Sequence, residues 1–274
     1  MERARKMFGL AVEHEPDFAL AYTGMTNCWS YLFLYADRRS ESLQKADEAS
    51  LRALELDPDL AEAHVARGQV LSLSERHDEA EQEFRRATEL DPRLFDAAYL
   101  YARDCFAQGR LEEAAALFTR AQELDPRDYQ SPALLAMVQD GLGHPATALR
   151  ARRCAVDLIE EHLKRHPGDV RALYMGANCL ISIDEPRRAL EWAELARSIE
   201  PDDPMVLYNL ACIFSKAGEV DDALDCLDRA VRGGLVQRGW IVNDPDLEAV
   251  RAHPRYADVL AWVDQAKARA AEGD

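Results

Sequence analysis

Pairs of alanines recur along this chain at a nearly constant interval. The first alanines of the pairs lie 42, 34, 34, 34, 41 and 34 residues apart, at Ala4, Ala46, Ala80, Ala114, Ala148, Ala189 and Ala223. Each is followed seven residues later by a second alanine, and a proline stands five residues beyond most of these second alanines. One unit has therefore been copied along the sequence, which predicts a repeat solenoid rather than a single globular core.

Each unit has the pattern of two antiparallel helices. Over residues 111–125, apolar and small side chains recur at helical spacing, and charged side chains fill the opposite face. A column of small residues stands twelve positions before the first alanine of most pairs. It predicts a close helix crossing, because larger side chains would push the axes apart. Glycines such as Gly109 and Gly218 mark the turn between the helices. Aspartates after the closing prolines, such as Asp59 and Asp202, are predicted to cap the next helix.

This pattern resembles the tetratricopeptide repeat, a helix pair of 34 residues. The best copies are AEAHVARGQVLSLSERHDEAEQEFRRATELDP at 61–92 and FDAAYLYARDCFAQGRLEEAAALFTRAQELDP at 95–126. The resemblance implies an all-α, right-handed superhelical solenoid of antiparallel helix pairs with a C-terminal capping helical segment. The closing tract is similar to that of tetratricopeptide modules in bacterial signalling proteins. In those proteins the array is often joined to a nucleotide cyclase, a Ser/Thr kinase or a winged-helix regulator.

The spacing of the units predicts a repeat array over residues 1–234 and capping helices over residues 235–274. Two units are longer than the period, near residues 30–45 and 156–166. In the capping tract, Asp244 precedes Pro245 and His253 precedes Pro254, which predicts one short and one longer helix. Apolar residues of the tract are expected to cover the last repeat, and they are Trp240, Leu247, Val250, Tyr256, Leu260 and Trp262.

The first unit is a half repeat, because Ala4, Phe8, Ala11 and Pro16 occupy second-helix positions and no first helix precedes them. Two interpretations remain open. The chain is the C-terminal portion of a longer protein, or a second copy supplies the missing contact, since a half repeat cannot bury its own apolar face. The second interpretation predicts self-association through this end.

Composition favours a soluble interaction module in the cytoplasm. The formal net charge of −17 argues against nucleic-acid binding and against anionic membrane surfaces. No apolar run is long enough to span a membrane, so no membrane insertion is predicted. The six cysteines lack the paired spacing of metal ligands and are interpreted as reduced core residues.

No enzymatic site, cofactor or metal is predicted. The sequence contains neither a phosphate-binding glycine loop nor a nucleophile elbow. His162 and His166 are four residues apart, but no third ligand follows on their helix face, which favours a solvated helix end over a metal site.

The resemblance places the binding groove on the first helices of successive repeats. The matching positions are Asn27, Glu62, Gln69, Tyr99, Arg103, Arg171, Tyr174, Asn178, Tyr208 and Asn209. Asn side chains suit the main chain of an extended peptide, Tyr supplies flat contact area and Arg holds a carboxylate. Asn178 and Asn209 match the asparagine pair of the family's carboxylate clamp, but Tyr174 stands where that clamp has lysine. A tetratricopeptide groove also carries mixed polar residues without any ligand, and that alternative remains open.

Together these observations predict a non-enzymatic scaffold that binds a peptide or partner protein in its groove, as the regulatory part of a larger bacterial signalling protein. The predicted partner-binding residues are Tyr99, Arg103, Arg171, Tyr174, Asn178, Tyr208 and Asn209. The alternative is a regulatory segment that docks on its own cyclase or kinase domain.

Overall fold

The computed structural model describes residues 2–35, 40–235 and 238–272. It is 82% helical, and none of these described residues forms a β-strand. The prediction of an all-α fold is therefore confirmed. The chain divides into two compact units, the N-terminal unit over residues 1–144 and the C-terminal unit over residues 145–274. This boundary lies inside the predicted repeat array, and the predicted division between residues 234 and 235 stays a prediction.

Helices α1 to α8 form the N-terminal unit. They are Glu2–His14, Ala19–Tyr35, Ser40–Leu56, Ala61–Leu73, His77–Leu90, Phe95–Ala107, Leu111–Leu124 and Gln130–Gly141. The pairs α2/α3, α4/α5 and α6/α7 pack as antiparallel partners, and α1 packs on α2. The first helices α2, α4 and α6 also contact one another in order, so they share one surface of this unit.

Helices α9 to α16 form the C-terminal unit. They are Pro145–Arg165, Val170–Ser182, Pro186–Ile199, Pro204–Ala217, Val220–Arg232, Arg238–Asn243, Glu248–Arg251 and Pro254–Glu272, with a 3-10 turn at Pro245–Leu247. The pairs are α10/α11 and α12/α13, and α10 also packs beside α12. Helix α9 has 21 residues, and its last turns contain the extra residues of the lengthened unit.

The alanine columns form the helix crossings. All twelve alanines of the two columns from Ala46 to Ala230 are fully buried. Aromatic rings fill the space beside them, and Phe84 and Phe118 are completely buried. A β-carbon on Gly68 would stand 2.8 Å from the Phe84 ring. The repeat spacing thus reflects packing, because each buried aromatic ring contributes about 1.5–3 kcal/mol of burial energy only if the facing helix stays close.

The turns between paired helices require a left-handed residue. Gly109 and Gly218 have φ angles of +75° and +81°. Glu75 and Asp184 occupy the same position in their repeats with φ angles of +60° and +65°. The conformation is therefore kept even where the repeat lacks the glycine that favours it.

The predicted helix caps are partly wrong. The carboxylate of Asp203, not Asp202, accepts the backbone N–H groups that begin α12, at 2.9 Å from both Met205 N and Val206 N. Asp59 is likewise not the cap of α4, whose N-cap position is held by Leu60 without a side-chain hydrogen bond. The capping residue is thus one position further along than the sequence pattern indicated.

The capping segment covers α12 and α13. The short helix predicted after Asp244 is a 3-10 turn continued by α15, and the longer one after His253 is α16. Helix α14 was not predicted. The apolar residues Ile241, Leu247, Val250 and Val263 are fully buried in this segment. Tyr256 is also buried, whereas the side chain of Trp240 lies outside the described part of the chain.

Candidate carboxylate-binding site

Two neighbouring helices of the C-terminal unit carry polar side chains one turn apart. On α10, Ser182 follows Asn178 by four residues. On α12, Tyr208, Cys212 and Lys216 follow one another at the same spacing. Side chains at i and i+4 share a helix face, and α10 packs against α12. The two faces therefore form a single cluster of hydrogen-bond donors.

The chain's own capping segment places two carboxylates on this cluster. We call residues 244–246 the acidic turn. Tyr208 donates its hydroxyl to Asp244 Oδ2 at 2.6 Å, and Asn178 donates from Nδ2 to Asp246 Oδ2 at 3.3 Å. The Cys212 thiol lies 3.6 Å from Asp244 Oδ2. We call Asn178, Tyr208, Cys212 and Lys216 the carboxylate site.

Lys216 supplies the positive charge of the carboxylate site. Its Nζ lies 3.4 Å from Asp246 Oδ1, and it also donates to Asn178 Oδ1 at 3.3 Å and to Ser182 Oγ at 2.9 Å. The Lys216 and Asp246 side chains are 24% and 30% exposed. An ion pair with this exposure is a weak one, with about 0–1 kcal/mol of net stabilisation. The neutral donors therefore share the binding of the carboxylates with the lysine.

Burial keeps the two neutral donors of α12 protonated. Tyr208 and Cys212 are both buried. Desolvation raises the pKa of Tyr208, and Cys212 and the nearby Asp244 raise it further. Desolvation likewise raises the pKa of Cys212 well above its ordinary value, with Asp244 and Asp246 adding to the effect. Both groups thus remain hydrogen donors toward a carboxylate over the physiological pH range.

The acidic turn has its own internal hydrogen bonds. Asp244 Oδ1 accepts the Asp246 N–H at 2.9 Å, which caps the 3-10 turn. The backbone oxygen of Asp244 accepts from Arg251 Nη2 at 2.6 Å. Asp244 therefore uses one carboxylate oxygen to hold the turn and the other to contact Tyr208.

Of the groove residues predicted in the C-terminal unit, two meet at this site and three do not. Asn178 and Tyr208 contact the acidic turn. Asn209 instead donates to the backbone oxygen of Met205 in its own helix at 2.8 Å. Arg171 and Tyr174 lie half-buried on the N-terminal half of α10, before Asn178.

In the N-terminal unit, Tyr99 and Arg103 lie one turn apart on α6. Tyr99 is buried and donates to Gln130 Oε1 at 3.2 Å. The Arg103 guanidinium lies 5.8 Å from the Tyr99 ring centroid, so these two predicted residues are brought together. The remaining predicted positions are Asn27 and Glu62, which are exposed, and Gln69, which is half-buried.

Lys216 and the two aspartates of the acidic turn are not among the site residues predicted from the sequence. The sequence spacing could have indicated Lys216, because it lies four residues after Cys212 and eight after Tyr208 and therefore on the same helix face. Asp244 was interpreted only as a helix cap. Its second contact, with Tyr208, joins positions 36 residues apart, which no local pattern indicates.

Further observations on the described residues concern metal binding and membrane insertion. Within the part of the chain that the structure describes, no three or more His, Cys, Asp or Glu side chains are grouped to hold a metal ion. His162 instead contacts Asp169 at 2.7 Å. None of the described helices has the length and apolar character needed to cross a bilayer.

The buried alanine crossings and paired helices define an all-α repeat protein of the helix-pair class. The family model described as tetratricopeptide repeat matches residues 31–95 and 74–129. Residues 31–129 therefore contain tetratricopeptide repeats, a fold that serves as a scaffold for protein–protein interaction. The resemblance to the tetratricopeptide repeat is confirmed, and the similarity of the closing tract to bacterial signalling modules stays a prediction.

Two solved structures are similar to this chain. One is YrrB, a TPR protein with an unusual peptide-binding site, which is 24% identical with a TM-score of 0.43, over 74% of this chain and 97% of YrrB. The other is MamA, which is 19% identical with a TM-score of 0.44, over 60% of this chain and 92% of MamA.

Proposed function

We propose that this chain is a non-enzymatic scaffold whose first helices bind an extended peptide that carries an acidic side chain or a C-terminal carboxylate. The proposed residues in the C-terminal unit are Arg171, Tyr174, Asn178, Tyr208 and Asn209. Tyr99 and Arg103 on α6 are proposed as a separate peptide contact within the N-terminal unit.

The observation that carries the proposal is the pair of carboxylates held on α10 and α12. Asn178 and Tyr208 were selected as peptide-binding residues from the sequence, and in the structure each donates a hydrogen bond to a carboxylate oxygen. Arg171 precedes Asn178 by seven residues on α10, about two turns. It would supply a charge-assisted bond to a peptide that extends along this helix.

The test begins with a partner isolated by pull-down and mapped to a peptide. Calorimetry then measures the affinity of that peptide for the unmodified chain and for the Arg171→Ala and Asn209→Ala variants. Each substitution is expected to weaken binding by about 1–3 kcal/mol, the usual effect of removing one partner from a buried polar contact. If both variants fold normally and bind as tightly as the unmodified chain, the peptide binds elsewhere.

We further propose that the scaffold acts in the cytoplasm as the regulatory part of a larger bacterial signalling protein. The support is the similarity of its closing tract to those of such modules. Cross-linking of the whole gene product in cells, followed by mass spectrometry, tests this role. Cross-links from α10 or α12 to a catalytic domain of the same product would favour the alternative, a segment that docks on its own cyclase or kinase domain.

Self-association through α1 is also proposed. Met7 and Leu10 on this helix are 60% and 49% exposed, and Phe18 and Leu20 beside it are 39% and 44% exposed. Large apolar side chains exposed on and beside one helix favour association, because a second copy would remove them from water.

A further inference from the structure

We propose that the acidic turn is a ligand bound in cis, and that an acidic peptide from another protein occupies the carboxylate site only by displacing it. This inference rests on the proposed function, since it names the chemistry of the peptide and the condition under which it binds. The partner is expected to carry two carboxylates two residues apart on a turn, as Asp244 and Asp246 do.

The acidic turn, bound in cis, supplies acceptors to the donors of the carboxylate site. Tyr208 donates to one carboxylate, and Asn178 donates to the other, which also lies beside Lys216. Asp244 and Asp246 lie 36 and 68 residues from Tyr208 and Asn178 in the sequence. These are therefore tertiary contacts of the kind that a separate peptide makes, rather than local helix capping.

The acidic turn lies in a segment outside the repeats. The 3-10 turn packs on α12, α15 packs on α12 and α13, and α16 packs on α13 and α14. The segment that contains the turn joins α13 through Gly233 and Gly234, and Gly234 has a φ angle of +114°. Displacement by a peptide therefore requires the segment to leave α12 and to expose the buried Leu247 and Val250, while the helix pairs α10/α11 and α12/α13 keep their own contacts.

The net charge of the chain limits how an acidic partner can bind. The whole chain has a formal net charge of −17, so an acidic peptide is repelled at long range. Binding therefore depends on short-range donors, and the carboxylate site supplies an amide, a hydroxyl and one ammonium group. Two carboxylates spaced as in the acidic turn match these donors, whereas a single carboxylate would leave either Tyr208 or Asn178 without its acceptor.

The experiment uses the full chain and a fluorescein-labelled peptide VNDPDLE, which copies residues 242–248. Fluorescence polarisation compares the unmodified chain with an Asp244→Asn/Asp246→Asn variant, in which the cis turn keeps its shape and loses its charge. The variant is expected to bind the peptide about tenfold more tightly or better, because an uncharged turn competes less well for Tyr208, Asn178 and Lys216. Adding Lys216→Met to the variant is expected to reverse this gain, and peptide VNNPNLE is expected not to bind.

A matched control is Glu112→Gln/Asp157→Asn. It changes the formal net charge from −17 to −15, as the turn variant does, at exposed positions away from the site. Its affinity for the peptide is expected to equal that of the unmodified chain. A gain equal to that of the turn variant would mean that net charge, not cis occupancy, limits binding, and would overturn the proposal.

Hydrogen exchange of the unmodified chain gives a second test that needs no variant. A saturating concentration of the peptide is expected to increase deuterium uptake over residues 238–251 and to leave α10 and α16 protected. Binding without increased uptake would overturn the cis-ligand proposal. A dimer that exchanges its capping segments between copies would also overturn it, and sedimentation detects that outcome.

The outcomes separate this inference from the proposed function. If the unmodified chain and the turn variant bind an acidic peptide equally and Lys216→Met weakens both, the peptide site stands and cis competition is wrong. If a folded turn variant binds no acidic peptide, then the carboxylate site takes no external ligand and the proposed function is wrong at α10 and α12 as well.

Discussion

Gly176 on α10 provides a test of how closely the paired helices approach beside the carboxylate site. A β-carbon added there would lie 2.2 Å from Cζ3 and 2.7 Å from Cε3 of Trp192 on α11. Ordinary carbon–carbon contacts are about 3.5–4.0 Å. Gly176→Ala therefore requires the Trp192 ring or the helix to move by more than about 1 Å, next to Tyr174 and Asn178.

The expected change in the free energy of unfolding is the overpacking cost minus the gain in helix propensity. Overpacking of a core costs about 1–3 kcal/mol, and replacement of a helical glycine by alanine returns about 0.8–1.0 kcal/mol. Gly176→Ala is therefore expected to lower the free energy of unfolding by about 1 kcal/mol. Gly239→Ala on α14 is the matched control, because nothing lies within 4 Å of its β-carbon. It is expected to be neutral or stabilising.

Urea denaturation followed by far-UV circular dichroism measures both variants. In a Trp192→Leu background, which removes the ring, Gly176→Ala is expected to be less destabilising than in the unmodified chain, because only the contact with Ile159 Cγ2 at 3.1 Å then opposes the helix-propensity gain of about 0.8–1.0 kcal/mol. If Gly176→Ala stabilises the unmodified chain as much as Gly239→Ala does, the close approach of α10 and α11 is wrong.

Three further predictions concern other parts of the chain. His64 Nδ1 lies 2.6 Å from Glu83 Oε2, and this hydrogen bond raises the pKa of His64 above 6.5. The unmodified chain is therefore expected to be more stable than His64→Gln, with the full difference present below about pH 6.5 and lost as the pH rises through the higher folded-state pKa of His64. Thermal unfolding of both proteins between about pH 5.5 and about pH 8.5 measures this difference in stability, and a difference that grows with pH would refute the prediction. Gly109→Ala is expected to cost about 1 kcal/mol, whereas Glu75→Gly at the equivalent left-handed position is expected to be neutral or stabilising in the same denaturation assay. Met7→Glu is expected to reduce self-association in sedimentation equilibrium, and an unchanged association constant would place the contact elsewhere.

The repeat architecture was predictable because it depends on local, recurring constraints. An alanine at a helix crossing is required in every copy, so Ala114 and Ala223 appear at the same phase and are both fully buried. A left-handed turn also recurs, and Gly109 and Gly218 indicated it. The helix caps were less predictable, because neighbouring aspartates such as Asp202 and Asp203 compete for one position and the backbone geometry selects between them.

The candidate site was only half predictable for a different reason. Asn178 and Tyr208 could be chosen because their phase on the first helices is set by the repeat. Their acceptors could not, since the acidic turn belongs to a segment outside the repeat pattern. Asn209 differs from them, because its phase fits the groove while its amide donates to the backbone oxygen of Met205 in its own helix. The position of a residue in the repeat indicates on which side of the helix its side chain lies. It does not indicate which group forms a hydrogen bond with that side chain.

The apolar residues and the aspartates of the capping segment make different kinds of contact with the repeats. Leu247 and Val250 are fully buried, and each contributes about 1.5–3 kcal/mol of burial energy. The hydrogen bonds of Asp244 and Asp246 to Tyr208 and Asn178 contribute about 1.5–3 kcal/mol each, and the partly exposed ion pair with Lys216 adds about 0–1 kcal/mol. The apolar and the polar contacts therefore hold the segment to a similar extent, and the carboxylates also align the turn with its donors. A free peptide must overcome the burial of the apolar residues as well as the polar contacts, so the unmodified chain is a weak receptor until another event loosens the segment. Any such event, whether a partner that binds α15 or a change at Leu247, would raise the affinity of the carboxylate site without altering any of its four side chains.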